Sequence, residues 1–293
     1  MREVTQAHYL HERSGLDPVL RPPVDDPSCL SWLPGTDRLV VGNRGGELFE
    51  VDPVMGTQRK AQGLGCTCAL GLHADLRRYV VLSIDGSWSI GELGGEVLWT
   101  GKHGFSRRMS VFFHREYVVM VGDRADGRFV IIVAGGKIAA QIRVPHRAIA
   151  MVGRDDKLKL VRSTQQGLDV QPLSRNPRVA DRESTAHRLR AYPNYIVGFT
   201  VIGLIVWPRD GGPGLSLRLT DLGVATLSPD GSRVGMGTRS GAVAMARLET
   251  PETRANPDLV RAFEESVRAI EFSGKGRWMA TAGGSLVVWT WDA

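Results

Sequence analysis

The chain has 293 residues, 42% of them hydrophobic and 23% charged, with 35 Gly, 15 Pro and a formal net charge of +6. This is the composition of a globular protein with many short elements and many turns, long enough to bury a large core. Its longest uncharged apolar run, Tyr195 to Trp207, has 13 residues, short of the about 20 that a membrane-spanning helix needs, so membrane insertion is not expected.

In chain order, the opening residues Met1 to His8 carry mixed charge and develop no apolar core of the kind an export signal needs. Three cysteines, Cys29, Cys66 and Cys68, are an odd number and make no disulfide framework. Together these features predict a protein of the reducing cytoplasm. His8 and His11, in a segment read as an arm over residues 1–16, are expected to be solvated and not to hold a metal.

From there one pattern recurs: a short β-rich run, a turn, and a Gly that opens a second β-rich run. Leu39-Val40-Val41-Gly42 precedes Gly46-Glu47-Leu48-Phe49, and Tyr79-Val80-Val81-Leu82 precedes Gly86-Ser87-Trp88. The pattern continues before Gly127, Gly167, Gly203, Gly241 and Gly284. The seven glycines lie 40, 41, 40, 36, 38 and 43 residues apart. A period near 40 with several strands per unit is the signature of a propeller blade, so the chain is predicted to be an all-β, seven-bladed β-propeller. Each glycine falls where the second and third strands turn, a place that favours positive φ. Blades are predicted at about 24–64, 65–105, 106–145, 146–187, 188–222 and 223–266. The seventh covers 267–293, where only one strand can follow Gly284. Its missing outer strand is expected from residues 17–23, which would leave no edge exposed.

Some copies carry a likeness. Val224-Ala225-Thr226-Leu227-Ser228-Pro229-Asp230-Gly231-Ser232-Arg233-Val234 resembles the first strand, turn and second strand of the WD-repeat family. The last copy, Ile270-Glu271-Phe272-Ser273 with Met279 to Gly283 and Val287-Val288-Trp289, is similar. The resemblance covers roughly residues 17–293 as pattern and not as identity, and the source looks bacterial. The Gly-His dipeptide is missing, and Trp-Asp occurs only at Trp291-Asp292. His146 and His187 fall near the usual histidine position and are expected to be satisfied core residues. Gly94-Gly95, Gly135-Gly136 and Asp52 to Gly56 look somewhat like the outer-strand turns of quinoprotein propellers, which leaves the subfamily open.

No phosphate-binding Gly-Lys loop, nucleophile elbow or metalloprotease histidine pair is found, and two thiols at Cys66 and Cys68 do not make a zinc site. They are expected to be buried thiols. Neither a catalytic role nor a cofactor nor a metal is therefore predicted, although a propeller can assemble a site from distant blades. Charge is more informative. Residues 1–141 contain 16 basic and 16 acidic side chains and residues 191–293 contain 10 and 10, whereas 142–190 contain 11 and 5. The whole excess thus sits on the fourth blade and its outer loop. The candidate partner-binding residues are Arg147, Arg154, Lys157, Arg175, Arg178, Arg182, Arg188 and Arg190. Localised arginines steer acidic partners and grip carboxylates or phosphates. Arg outnumbers Lys 31 to 6, so a merely solvated basic face stands beside that reading. The first function expected is a protein-interaction scaffold, a subunit that assembles with other chains. The second is nucleic-acid binding through the fourth blade, and the third an enzyme with a site in the propeller channel.

Overall fold

A computed structural model of the chain describes residues 16–55, 57–63, 66–75, 77–165, 167–174, 186–192, 194–209, 214–248 and 259–291. The expected all-β, seven-bladed organisation is found: the strands form seven antiparallel sheets. A first strand, β1 (Leu16–Leu20), stands apart from its neighbours in sequence. Sheet I is β2 (Pro27–Trp32), β3 (Leu39–Asn43), β4 (Glu47–Asp52) and β5 (Thr57–Gly63). Sheet II follows as β6 (Thr67–Leu72), β7 (Arg78–Ser83), β8 (Ser87–Glu92) and β9 (Val97–Lys102). Sheet III is β10 (Arg107–His114), β11 (Tyr117–Arg124), β12 (Gly127–Ala134) and β13 (Lys137–Val144). Sheet IV has three strands among the described residues, β14 (Ile149–Val152), β15 (Leu158–Thr164) and β16 (Gly167–Pro172). Sheet V is β17 (Arg188–Ala191), β18 (Tyr195–Thr200), β19 (Gly203–Pro208) and β20 (Leu215–Arg218). Sheet VI is β21 (Leu222–Leu227), β22 (Arg233–Thr238), β23 (Ala242–Arg247) and β24 (Val260–Arg261). Sheet VII is β25 (Ala269–Phe272), β26 (Met279–Ala282) and β27 (Leu286–Trp291), completed by β1.

The chain clusters into two compact units, Cys68–Ser216 and the remainder, so that sheets II to V belong to one and sheets I, VI and VII to the other, apart from strand ends. In both units the second strand of a sheet is apolar at successive positions and not at alternate ones. Leu39, Val40 and Val41 are fully buried, as are Tyr79, Val80, Val81 and Leu82. A strand covered on both faces has no solvent side to make polar, which explains the unbroken β-branched runs of the sequence. One face of sheet III packs on sheet II through Met120, Ile131 and Trp88, and the other on sheet IV through Val119, Val130 and Leu160. Sheet VII is likewise enclosed, by Leu30 and Val41 of sheet I on one side and Val243 and Val224 of sheet VI on the other.

Six of the seven anchor glycines have a positive φ. Gly46, Gly86 and Gly241, at 83 to 89°, each close a turn with an N–H to the residue three back. Gly127, Gly167 and Gly203, at 125 to 149°, stand at the end of the turn opposite Arg124, Thr164 and Thr200. Gly284 has no left-handed backbone, so its turn owes its shape to other residues. The strand expected from residues 17–23 is β1, whose Leu16 lies opposite Trp291 and Pro18 opposite Trp289. Proline is tolerated there because the strand is the outer one of its sheet. Ties between sheets I and VII reinforce the join: Arg277 meets Asp37 at 2.7 Å, Trp32 Nε1 donates to Glu271 O at 3.1 Å, and Arg268 pairs with Asp26.

Other expectations are corrected. Cys66 and Cys68 are half-buried, and only Cys29 is fully enclosed. Cys68 sits at the rim of the sheet II–III core, where its thiol donates to Leu82 O at 2.9 Å. His146 is exposed in a turn and is not a core residue, and His187 is half-buried. His8, His11 and Asp292 lie outside the described residues.

Two predictions follow from this architecture. Deleting residues 1–24 removes β1 with the buried Leu16 and Val24, exposes the edge of β27, and is expected to lower the melting temperature of the whole protein markedly. An unchanged thermal transition would refute the closure. At Gly241 an added Cβ would stand 2.2 Å from the carbonyl oxygen of Phe263. Gly241→Ala should therefore cost roughly 2 kcal/mol or more, while Gly35→Ala, at φ 69° with nothing within 4 Å, should cost about 1 kcal/mol in urea denaturation.

Candidate partner-binding surface

Of the eight basic residues singled out from sequence, five are described, and they do not form one patch. Arg147 lies half-buried in the turn leading into β14, at φ 69°. Arg154 and Lys157 occupy the β14–β15 turn at the other end of that strand, both exposed. Four residues of strand separate the two places by roughly 13 Å. Arg188 and Arg190 are on β17, with Arg188 exposed and Arg190 half-buried. Arg175, Arg178 and Arg182 lie outside the described residues.

The structure also sorts the charge of this segment. Lys159 reaches Asp155 at 2.8 Å, and Arg162 reaches Asp169 at 2.7 Å, so both are locally neutralised. Asp156 pairs across to Arg115 of sheet III. Arg154, Lys157 and Arg188 make no ion pair among the described residues. Among the described residues the carboxylates of the segment, Asp155, Asp156 and Asp169, are thus committed to Lys159, Arg115 and Arg162, and Arg154, Lys157 and Arg188 keep their positive charge on exposed positions. In water each such charge contributes little to stability, which leaves it available to a partner.

Sequence reasoning missed His103, which follows β9 and is 1% exposed. Its Nδ1 accepts the N–H of Phe105 at 2.8 Å, its own N–H donates to Gly86 O at 2.7 Å, and its carbonyl accepts Arg124 Nε at 2.9 Å. The ring stacks on Phe105 with centroids 4.9 Å apart. One histidine therefore joins the Gly86 turn of sheet II to the Arg124 turn of sheet III. The local signal was Asp85, directly before the anchor glycine, whose carboxylate acts on the ring. Burial pushes the His103 pKa below its usual 6.5, against smaller pulls from the backbone of Ser83 and Ser87 and from Asp85. Because the folded state binds a proton here less readily than the unfolded chain, the stability is fully present above pH 6.5. It is lost progressively as pH falls below that value. His103→Gln should flatten this acid limb in melting temperatures measured from pH 8 to 5. A variant with the same limb as the wild type would remove His103 as its cause.

Among the described residues no three His, Cys, Asp or Glu side chains are grouped to hold a metal ion, and no helix is long and apolar enough to cross a membrane. No protein-family model matches the chain, and no curated protein matches it in sequence. Among solved structures it is similar to the WD40 β-propeller domain of Doa1, with a TM-score of 0.71 at 11% identity over 95% of this chain and 98% of that one. The chain, with seven antiparallel sheets that follow one another along the sequence and a first strand that completes the last, is thus a seven-bladed β-propeller, similar in fold to that WD40 domain.

Proposed function

We propose that this protein is a non-catalytic interaction scaffold, a cytoplasmic subunit that assembles with other proteins through basic positions of its fourth blade and the adjoining strand of the fifth. Propellers present loops and strand ends on a rigid frame, and the same frame serves many functions, so the site and not the fold has to carry the argument. The observation that carries it is the segregation of charge. Arg154, Lys157 and Arg188 are exposed and without an ion pair among the described residues, while their neighbours Lys159 and Arg162 are neutralised. Arg147 and Arg190, and further along the sequence Arg175, Arg178 and Arg182, belong to the same basic segment.

Affinity purification of the full chain should recover a stoichiometric protein partner. Reversing Arg175, Arg178 and Arg182 to Glu should abolish its recovery, with an unchanged melting temperature showing that the fold is intact. If the partner is instead nucleic acid, purified chain will bind DNA or RNA tightly, with log affinity falling linearly against log salt by about one unit of slope per phosphate contact. Binding of that kind at physiological ionic strength would replace the protein-scaffold reading.

A further inference from the structure

Within the unit Cys68–Ser216, a groove of about 180 Å³ opens between sheets II and III. Buried Ile90, Val118 and Val133 form its floor, and Trp99 and half-buried Phe113 its sides. The Trp99 ring occupies the space beside Gly136, where an added Cβ would stand 2.2 Å from its Cδ1. Strand pairing puts Trp99 beside Ile90 and Ile138 beside Val133, so both face the neighbouring sheet. They are nevertheless 39% and 48% exposed, an apolar rim around an apolar slot. The volume is below that of sites which take whole small molecules, and it suits a protruding side chain. The mouth of the groove is acidic. Arg78 lines it and meets Glu116 at 2.7 Å and Asp75 at 3.0 Å, while Glu92 stands opposite Arg78 on β8. Arg78 alternates with Val80 and Leu82 of the sheet II–III core, so Arg78 and Glu92 share the face that looks onto sheet III. Glu92 has no ion pair among the described residues. Three carboxylates thus gather around one guanidinium, whereas Lys137, opposite Ala134, points to the other face of its sheet.

The same unit carries a knob of matching chemistry. Between Thr200 and Gly203 the β18–β19 hairpin turns through Val201 and Ile202, which are 92% and 58% exposed. Tight turns favour Gly, Asn and Asp, and two branched apolar residues at a tip gain nothing from the fold itself. Arg188, exposed and without an ion pair among the described residues, flanks this tip: it lies opposite Phe199, next to Thr200, with its guanidinium 5.4 Å from the Phe199 ring. Tip and groove occupy opposite ends of the sheets. His103 joins the β7–β8 turn to the β11–β12 turn, Arg128 beside that second turn donates to Ala148 just before β14, and Ala186 just before β17 donates to Ser163 at 3.0 Å, beside the β15–β16 turn. The β18–β19 turn belongs to this end. Glu116 and Gly136 lie in the β10–β11 and β12–β13 turns, at the other.

We infer that the groove between sheets II and III takes the Val201–Ile202 tip of a second copy of this chain. The apolar tip fills the slot beside Trp99, and Arg188 at its base meets the carboxylates of Glu92 and Glu116. Apolar contact supplies the affinity, and the opposed charges fix the orientation. Because tip and groove lie at opposite ends, the contact is head to tail, and each copy that docks still offers its own free tip or groove to another. This association goes beyond the scaffold reading and does not depend on it.

Sedimentation velocity of the purified full chain across micromolar concentrations should show a mass that grows with concentration and passes the dimer. Val201→Asp with Ile202→Asp, and separately Glu92→Lys with Glu116→Lys, should each weaken association about tenfold or more. Val54→Asp with Met55→Asp, in an apolar turn that is 69% and 70% exposed, should leave it unchanged. Mixing the tip variant with the groove variant should give a complex that stops at the dimer, because one supplies an intact groove and the other an intact tip. Adding Arg188→Glu to the groove variant should restore association through the exchanged charges. Melting curves show that each variant is folded. A wild type that stays monomeric would overturn the inference, as would tip and groove variants that associate as the wild type does. A mixture of the two variants that stays monomeric would also overturn it. If the wild type is monomeric and the groove variant loses the partner recovered by affinity purification, the groove belongs to that partner and not to a second copy.

Discussion

Burial of every middle strand on both faces is the constraint from which the rest of this structure follows. A sheet such as III, with Met120 and Ile131 on one side and Val119 and Val130 on the other, cannot stand alone in water and needs a neighbour on each face. Repetition of the unit supplies those neighbours. The outer strands take the remaining exposure, and they are marked accordingly: β9 ends on Lys102 and β13 begins on Lys137, with a register shift in the pairing of β12 and β13. Charged ends and irregular pairing of this kind discourage addition of a further strand.

The same constraint separates frame from function. Residues facing a neighbouring sheet are held by packing, so chemistry is confined to turns, strand ends and positions such as Arg188 that face water. The basic excess of residues 142–190 follows that division. Lys159 and Arg162 lie along β15 beside carboxylates, and Arg154 and Lys157 lie in a turn where no partner is needed. Charge counted along the sequence overstates what a binding partner meets, because part of it is consumed in local pairs.

Much of the fold was legible from seven glycines, because a turn that needs positive φ leaves few alternatives and marks each unit once. Gly284 shows the limit of that signal, since it keeps the spacing without the backbone that gives the spacing its reason. The strand Leu16–Leu20 was legible only from the strand count, which left the seventh repeat one strand short of the others. The buried histidine was misplaced because His146 and His187 match the position by count, whereas burial at His103 depends on how the Gly86 turn packs against sheet III. That contact is tertiary, and no local pattern reports it.

The pairing of Leu16–Leu20 with Leu286–Trp291 also sets the order of assembly. Five of the sheets can complete themselves from consecutive residues soon after these leave the ribosome. Sheet VII cannot, because its outer strand precedes the other six sheets in the sequence and its other three strands follow them. Until β27 has emerged, β1 waits without a partner and the apolar face of sheet I that meets Ala280 and Val288 stays uncovered. Loop closure over nearly the whole chain then precedes the final gain in burial, a late and non-local step of the kind that slows folding. The interval in which that face is bare is when the chain is most open to aggregation, and when a chaperone has most to offer it.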